Sequence, residues 1–159
     1  MKRGFPVPLS LQEQYDKIYR YCYFKIKDAT LAEDLTQETF LRFFNRNNYI
    51  GRGEPLAWLY SIAKNLCVDT YRKKGEQALP AEIVAVDSGF DALEISIDVK
   101  KAVSTLPKDL QEILLLRFSS ELSMKEIGAV TGLSRFAARR KITGALKKIR
   151  LILRKEDFA

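Results

Sequence analysis

The chain has 159 residues, room for one ordinary domain or two small ones and too little for a large multi-domain enzyme. Its 47% hydrophobic and 11% aromatic content excludes a disordered chain, and eight glycines with five prolines exclude collagen-like or low-complexity material. Histidine is absent, which removes the commonest general base and metal ligand, while 27 basic against 20 acidic side chains give a net charge of +7 that suits a polyanionic partner.

No apolar run approaches the roughly 20 residues that span a bilayer, and the start, Met1 to Pro8, lacks the apolar stretch of a signal peptide. A cytoplasmic protein without membrane insertion is expected. Cys22 and Cys67 each fall within an apolar helical pattern, so they read as small core residues and not as a disulfide framework.

Charge divides the chain in three. Residues 1–74 carry 13 basic and 8 acidic side chains, residues 75–98 carry none and 6, and residues 99–159 carry 14 and 6. The middle segment, with Gly75, Pro80, Ser88 and Gly89 and no sustained period, has the composition of an acidic, flexible linker. Fully stretched it reaches on the order of 80 Å, enough to hold two domains about two turns of DNA apart. DNA phosphates would repel it, which favours its lying over a basic surface or folding back on the flanking domains.

Ser/Thr-x-x-Glu boxes at Ser10–Glu13, Thr30–Glu33 and Ser123–Glu126 mark helix starts, because hydroxyl and carboxylate satisfy first-turn amides that otherwise lack partners. From the first box, Leu11, Tyr15, Ile18, Tyr19, Cys22 and Ile26 recur at helical spacing up to about Lys27. From the second, Ala32, Leu35, Thr39 and Phe43 line one face, and Asp34, Gln37, Glu38 and Leu41 another. After a broken stretch from Asn45 to Gly53, Pro55 opens a long helix to about Lys74 with a stripe of Leu59, Ile62, Ala63, Leu66 and Thr70. Helices near Ser96–Thr105, Pro107–Phe118, Met124–Val130 and Ser134–Lys155 complete the chain. No segment alternates at period two over strand length, so the fold class is all-α, two small helical domains joined by the linker.

The run from Met124 to Ala138 has the anatomy of a helix-turn-helix. Ile127 and Val130 point inward, small Gly128 permits a close crossing, Gly132 can take the positive φ of the tight turn, and Ser134 caps the next helix. Between Gly132 and Lys155 there are nine basic residues and no acidic one, beside an inward stripe of Ala138, Ile142, Leu146, Ile149 and Leu153. A basic face on the second helix of this motif suits the major groove: Arg139 and Arg140 can reach guanine edges, Lys147 and Lys148 phosphates. Gly144 in mid-helix costs about 1 kcal/mol relative to Ala, and the sequence gives no reason for it.

The segment Ala32-Glu33-Asp34-Leu35-Thr36-Gln37-Glu38-Thr39-Phe40-Leu41-Arg42-Phe43-Phe44, the helix from Pro55 through Trp58 to Lys74, and the run Leu106-Pro107-Lys108-Asp109-Leu110-Gln111-Glu112 leading into the helix-turn-helix closely resemble the extracytoplasmic-function (ECF) sigma factors of bacterial RNA polymerase, from about Leu11 to Leu153. The resemblance implies a region 2-like domain over residues 1–74 that binds core polymerase and the minus-ten promoter element. It likewise implies an acidic linker over 75–98 and a region 4-like domain over 99–159 that reads the minus-thirty-five element. Partners implied are core RNA polymerase through its beta-prime clamp and beta subunits, promoter DNA, and an anti-sigma factor. No cofactor, metal or small-molecule substrate is implied.

Asp34, Gln37, Glu38, Leu41 and Phe44 combine charge with apolar anchors at i, i+3, i+4 spacing, suited to docking on a basic helix of the clamp. Strand capture at a melted minus-ten element needs aromatic or planar groups beside cations. Asn47, Asn48, Tyr49 and Arg52 before the long helix, and Tyr60, Ser61, Lys64, Asn65 and Arg72 on it, directed away from its stripe, are the candidates. Trp58 reads either as core or as a stacking platform. For the minus-thirty-five element the candidates are Ser134, Arg135, Phe136, Arg139, Arg140, Thr143 and Lys147, with Phe136 either meeting a thymine methyl or packing.

Two features depart from the family pattern. Ser134-Arg135-Phe136-Ala137 lacks the usual Gly-Thr pair, and the loop from Asn45 to Glu54 is slightly short. Two other function classes compete. A stand-alone helix-turn-helix regulator would bind duplex DNA tightly without polymerase. An enzyme would need a site such as Glu33, Asp34 and Glu38 around a metal, but no second acidic helix pattern faces them.

Overall fold

The computed structural model describes residues 10–45, 55–74, 95–119 and 121–157, which are helical with no strand among them. The helices are α1 (Leu11–Ile26), α2 (Ala29–Asn45), α3 (Pro55–Lys74), α4 (Ile97–Ser104), α5 (Lys108–Leu114), α6 (Met124–Thr131) and α7 (Arg135–Asp157). The stretch expected as a linker lies outside the described residues up to 94. Its expected end at residue 98 falls inside α4, whose start is fixed by Ser96 accepting from the Val99 amide at 3.2 Å.

The capping boxes at Ser10 and Ser123 form as expected, each hydroxyl accepting from the third-residue amide at 3.1 Å while Glu13 and Glu126 accept from the cap amides. The expected box at Thr30 does not form. Asp28 takes its place, its carboxylate accepting from the Leu31 amide at 3.0 Å, so α2 begins at Ala29, before the start that a Thr30 cap would have set. Asp28 follows immediately on Lys27, whose left-handed backbone (φ 62°) closes α1, and the two helices are joined too tightly for the later cap.

α1, α2 and α3 pack around Ile18, Cys22, Leu35, Leu59, Ala63 and Cys67, each fully burying an aliphatic or thiol side chain; a buried Leu or Ile contributes about 1.5–3 kcal/mol. Cys22 and Cys67 are buried and unbridged. Helices α4–α7 bury Val103, Ile113, Leu116, Ile127, Ala138 and Ile142, which belong to the same continuous buried cluster as the side chains of α1–α3. α5 runs on into one wide π turn, Leu115–Ser119, so the helix expected to reach Phe118 changes its winding before it ends. On α7 the inward stripe drifts: Ala145 is buried and Leu146, expected inside, is 41% exposed, because the stripe follows 3.6 residues per turn rather than fixed spacings of four.

The two helical groups pack against each other. α6 lies across α3, and α1 meets α5 at Glu112 and the turn after it at Ser119. This explains why α1 buries Tyr21 and Phe24 as well as the Ile18–Cys22 stripe: it is covered on two sides.

Candidate nucleic-acid interface

The helix-turn-helix is built tightly. Gly132 adopts φ 84° and donates its amide to the Gly128 carbonyl at 2.8 Å, ending α6. At Gly128 an added Cβ would lie 2.4 Å from the Leu133 carbonyl oxygen, so the turn closes onto a position that only glycine fits. Ser134 then caps α7 by accepting from the Ala137 amide at 3.0 Å.

α7 presents Arg135, Phe136, Arg139, Arg140, Thr143 and Lys147 exposed, with Lys148, Arg150 and Arg154 continuing the cationic surface. The Arg135 guanidinium lies over the Phe136 ring at 5.3 Å, and Phe136 is 62% exposed, which removes core packing as its role. Lys141 instead pairs with Asp109 at 2.7 Å, and that hydrogen bond holds the Asp109 carboxyl below its ordinary range. Lys125, which sequence reasoning did not single out, joins Arg135 beside the open cleft formed by Gly128, Ala129, Gly132 and Leu133. Its signal was its place in the first turn of α6, next to the turn.

On α2, Asp34, Gln37, Leu41 and Phe44 are exposed, the last two by 59% and 61%, and half-buried Glu38 pairs with Arg42 at 2.9 Å. Together they form one solvent-facing ridge. Behind it, Tyr15 donates to Glu33 at 2.5 Å and stacks on Phe40; burial, then the Glu33 hydrogen bond, push the Tyr15 phenol up to about 12.

The third candidate group divides. Asn47, Asn48, Tyr49 and Arg52 lie outside the described residues. Asn65 and Arg72 are exposed, whereas Ser61 and Lys64 are half-buried and the Lys64 ammonium donates to the Thr131 carbonyl at 3.4 Å. Tyr60, expected to project away from the stripe, is fully buried, edge-on to Tyr21 with ring centroids 5.2 Å apart. α3 is covered by α1 as well as α2, so its apolar surface is wider than a single stripe. Trp58 is half-buried and engaged with its surroundings.

Sequence reasoning also missed the seam between the two groups. Glu112, the one buried charged side chain among the described residues, accepts from Tyr21 at 2.5 Å and pairs with Lys25 at 2.8 Å. Lys17 donates to the Ser119 carbonyl, and Arg20 to the Ser119 hydroxyl at 3.0 Å. Burial, aided by the Arg20 charge, holds the Lys17 ammonium below its ordinary range. The available signal was α1's second apolar face.

Among the described residues no group of three or more His, Cys, Asp or Glu side chains could hold a metal ion, and no helix is long and apolar enough to cross a membrane.

Comparison with known proteins matches residues 11–77 to the sigma-70 region 2 family and residues 102–151 to the sigma-70 region 4 family. ECF RNA polymerase sigma factor SigW of Bacillus subtilis is 31% identical over 133 residues, covering 72% of this chain and 71% of that protein. ECF RNA polymerase sigma factor SigE of Mycolicibacterium smegmatis is 30% identical, covering 92% of this chain but 61% of its own length. The fold is shared with sigma factor RpoE of Bartonella quintana, solved with the anti-sigma factor NepR (TM-score 0.66, 20% identity, 91% of this chain and 94% of that one). With both regions matched in order on an all-helical fold, the chain belongs to the ECF sigma factors of the sigma-70 family.

Proposed function

We propose that this sigma factor directs core RNA polymerase to its promoters as a non-catalytic specificity subunit, reading the minus-thirty-five element with α7 and the minus-ten element with α3 and the residues before it. One observation carries the reading: an acid-free basic face stands exposed on the second helix of a capped helix-turn-helix. Arg139 and Arg140 near its start are suited to guanine edges and Lys147 to phosphate; Ser134, Arg135, Phe136 and Thr143 flank them. The ridge of Asp34, Gln37, Glu38, Leu41 and Phe44 docks on the beta-prime clamp, with the beta subunits completing the holoenzyme interface. Asn47, Asn48, Tyr49, Arg52, Ser61, Lys64, Asn65 and Arg72 receive the melted strand, and Tyr60, buried against Tyr21, supports α3 from within. The protein acts in the cytoplasm, and an anti-sigma factor masks these surfaces until they are needed.

Gel filtration with core polymerase gives a comigrating holoenzyme that initiates run-off transcription at specific promoters. Asp34→Arg abolishes comigration while leaving the helical circular-dichroism spectrum intact. Unchanged affinity in that variant removes the α2 ridge as the docking face, and absence of both complex and transcription for the wild-type chain sinks the reading.

A further inference from the structure

Arg135 and Phe136 open α7 in the run that lacks the family's usual Gly-Thr pair. Both are exposed, Phe136 by 62%, on a helix whose other exposed residues include Arg139, Arg140, Thr143 and Lys147. A single apolar side chain in water is ordinary. This one is set apart by its partner, since the Arg135 guanidinium lies over its ring at 5.3 Å. The backbone beneath the pair is fixed from both sides. Gly132 at φ 84° ends α6, the Ser134 hydroxyl caps α7 on the Ala137 amide, and the close approach of Gly128 to the Leu133 carbonyl leaves the turn no slack. Side chains in the first turn of a recognition helix are the ones that reach base edges.

The chemistry of the pair matches two bases at once. A phenyl ring in the major groove has one distinctive target, the 5-methyl group of thymine, and a guanidinium has another, the O6 and N7 acceptors of guanine. A cation held over a ring gives up little further freedom when it meets a base, because the ring already restricts it. With one group lying over the other, the two are offered to neighbouring levels of the base-pair stack rather than to the same base pair.

We propose that Arg135 and Phe136 form a two-base reader: Phe136 covers a thymine methyl, and Arg135, steadied by the ring, donates to the guanine of an adjoining base pair. The proposal rests on the assignment of α7 to the minus-thirty-five element made above and deepens it. It adds a thymine to an element that Arg139 and Arg140 would otherwise select for guanine alone. Phe136 is then a specificity determinant through its own contact, and it also positions Arg135.

The test uses the whole chain assembled with core RNA polymerase. A duplex library randomised over both promoter elements is selected by the holoenzyme, and single atoms of the enriched duplex are then changed. Uracil in place of each thymine removes only the methyl group, and 7-deazaguanine in place of each guanine removes only the N7 acceptor. With the wild type, uracil at one thymine of the upstream element lowers affinity about fourfold, the worth of one buried methyl group. Deazaguanine at an adjoining base pair lowers it several-fold. Phe136→Ala loses the uracil effect at that thymine, and Arg135→Ala loses the deazaguanine effect at that guanine, while effects at guanines met by Arg139 and Arg140 persist in both. Phe136→Leu, apolar but without a ring for the cation, keeps the uracil effect and weakens the deazaguanine effect. Enrichment of an element with no thymine beside a guanine, uracil tolerated at every thymine, or variants that keep both effects overturns the proposal while the minus-thirty-five reading stands. Weaker binding of core polymerase by Phe136→Ala with both base effects retained makes the ring a protein contact and overturns it as well. A wild-type holoenzyme that enriches no upstream element removes the minus-thirty-five reading itself, and the two-base reader falls with it.

Discussion

Tyr21 and Glu112, 91 positions apart in the chain, share a hydrogen bond of 2.5 Å in which the phenol donates to the carboxylate. The Tyr21 ring also stands at 87° to Tyr60, so one residue joins the interior of the first three helices to α5. Burial and then the charge of Glu112 hold the phenol well above its ordinary range, in keeping with its role as the donor to that carboxylate. Tyr21→Phe keeps the ring and removes the donor. It lowers stability by about 1.5–3 kcal/mol, the range for a hydrogen bond to a charged group, as measured by urea unfolding. A loss below about 0.5 kcal/mol would mean that Lys25 and water satisfy Glu112 alone.

Alkaline titration reads the neighbouring pair. Tyr15 has its pKa pushed up to about 12 by burial and by Glu33, against 10.0 for a free phenol. The raised folded value means the folded state keeps its proton longer than the unfolded chain. The stability it adds is therefore complete below pH 10 and is lost as pH rises towards 12. The phenolate absorbance of the wild type contains a late component, which Tyr15→Phe reduces; Glu33→Gln moves it to lower pH. If Tyr15→Phe removes only absorbance that rises near pH 10, the hydrogen bond to Glu33 does not persist in solution.

Local features of the fold were legible because they depend on a few neighbouring residues. Ser10 with Glu13, Ser123 with Glu126 and Gly132 at its positive φ each declare a helix end within four positions. The basic face of α7 was equally plain, since exposure follows from charge. Thr30 misled because Asp28, two residues earlier, caps the helix at the Leu31 amide, and the short connection after Lys27 favours that earlier start. Tyr60 and Leu146 misled for another reason: periodicity finds one buried stripe, but the width and drift of that stripe depend on how many partners a helix acquires. The seam at Glu112 and Ser119 left one local trace, the second apolar face of α1, but its partners lie 87 to 102 positions away, so the sequence did not say what covers that face.

Gly144 is accounted for by nothing in the structure: an added Cβ would meet no atom within 4 Å. Relief of the backbone entropy of a mid-helix glycine therefore acts unopposed. Gly144→Ala stabilises the protein by about 0.8–1 kcal/mol in thermal or urea unfolding. Its promoter-DNA affinity stays at the wild-type level if the residue is idle. A gain in stability accompanied by a drop in affinity would instead assign Gly144 to close approach of the DNA backbone.

Gly128 is the opposite case. Its added Cβ would sit 2.4 Å from the Leu133 carbonyl oxygen, a backbone atom that cannot swing aside, in a turn already pinned by the Gly132 amide on the Gly128 carbonyl. Gly128→Ala must push the start of α7 away from α6, at about 1–3 kcal/mol of stability. Displacement of the helix start moves Arg139 and Arg140 relative to Lys125, so duplex DNA affinity falls further than the loss of folded protein explains. The α2 ridge lies on the other helical group and is untouched, so comigration with core polymerase persists. If Gly128→Ala binds duplex DNA as the wild type does, the placement of α7 is set by its own packing on α4 and α5 and not by the tightness of the turn.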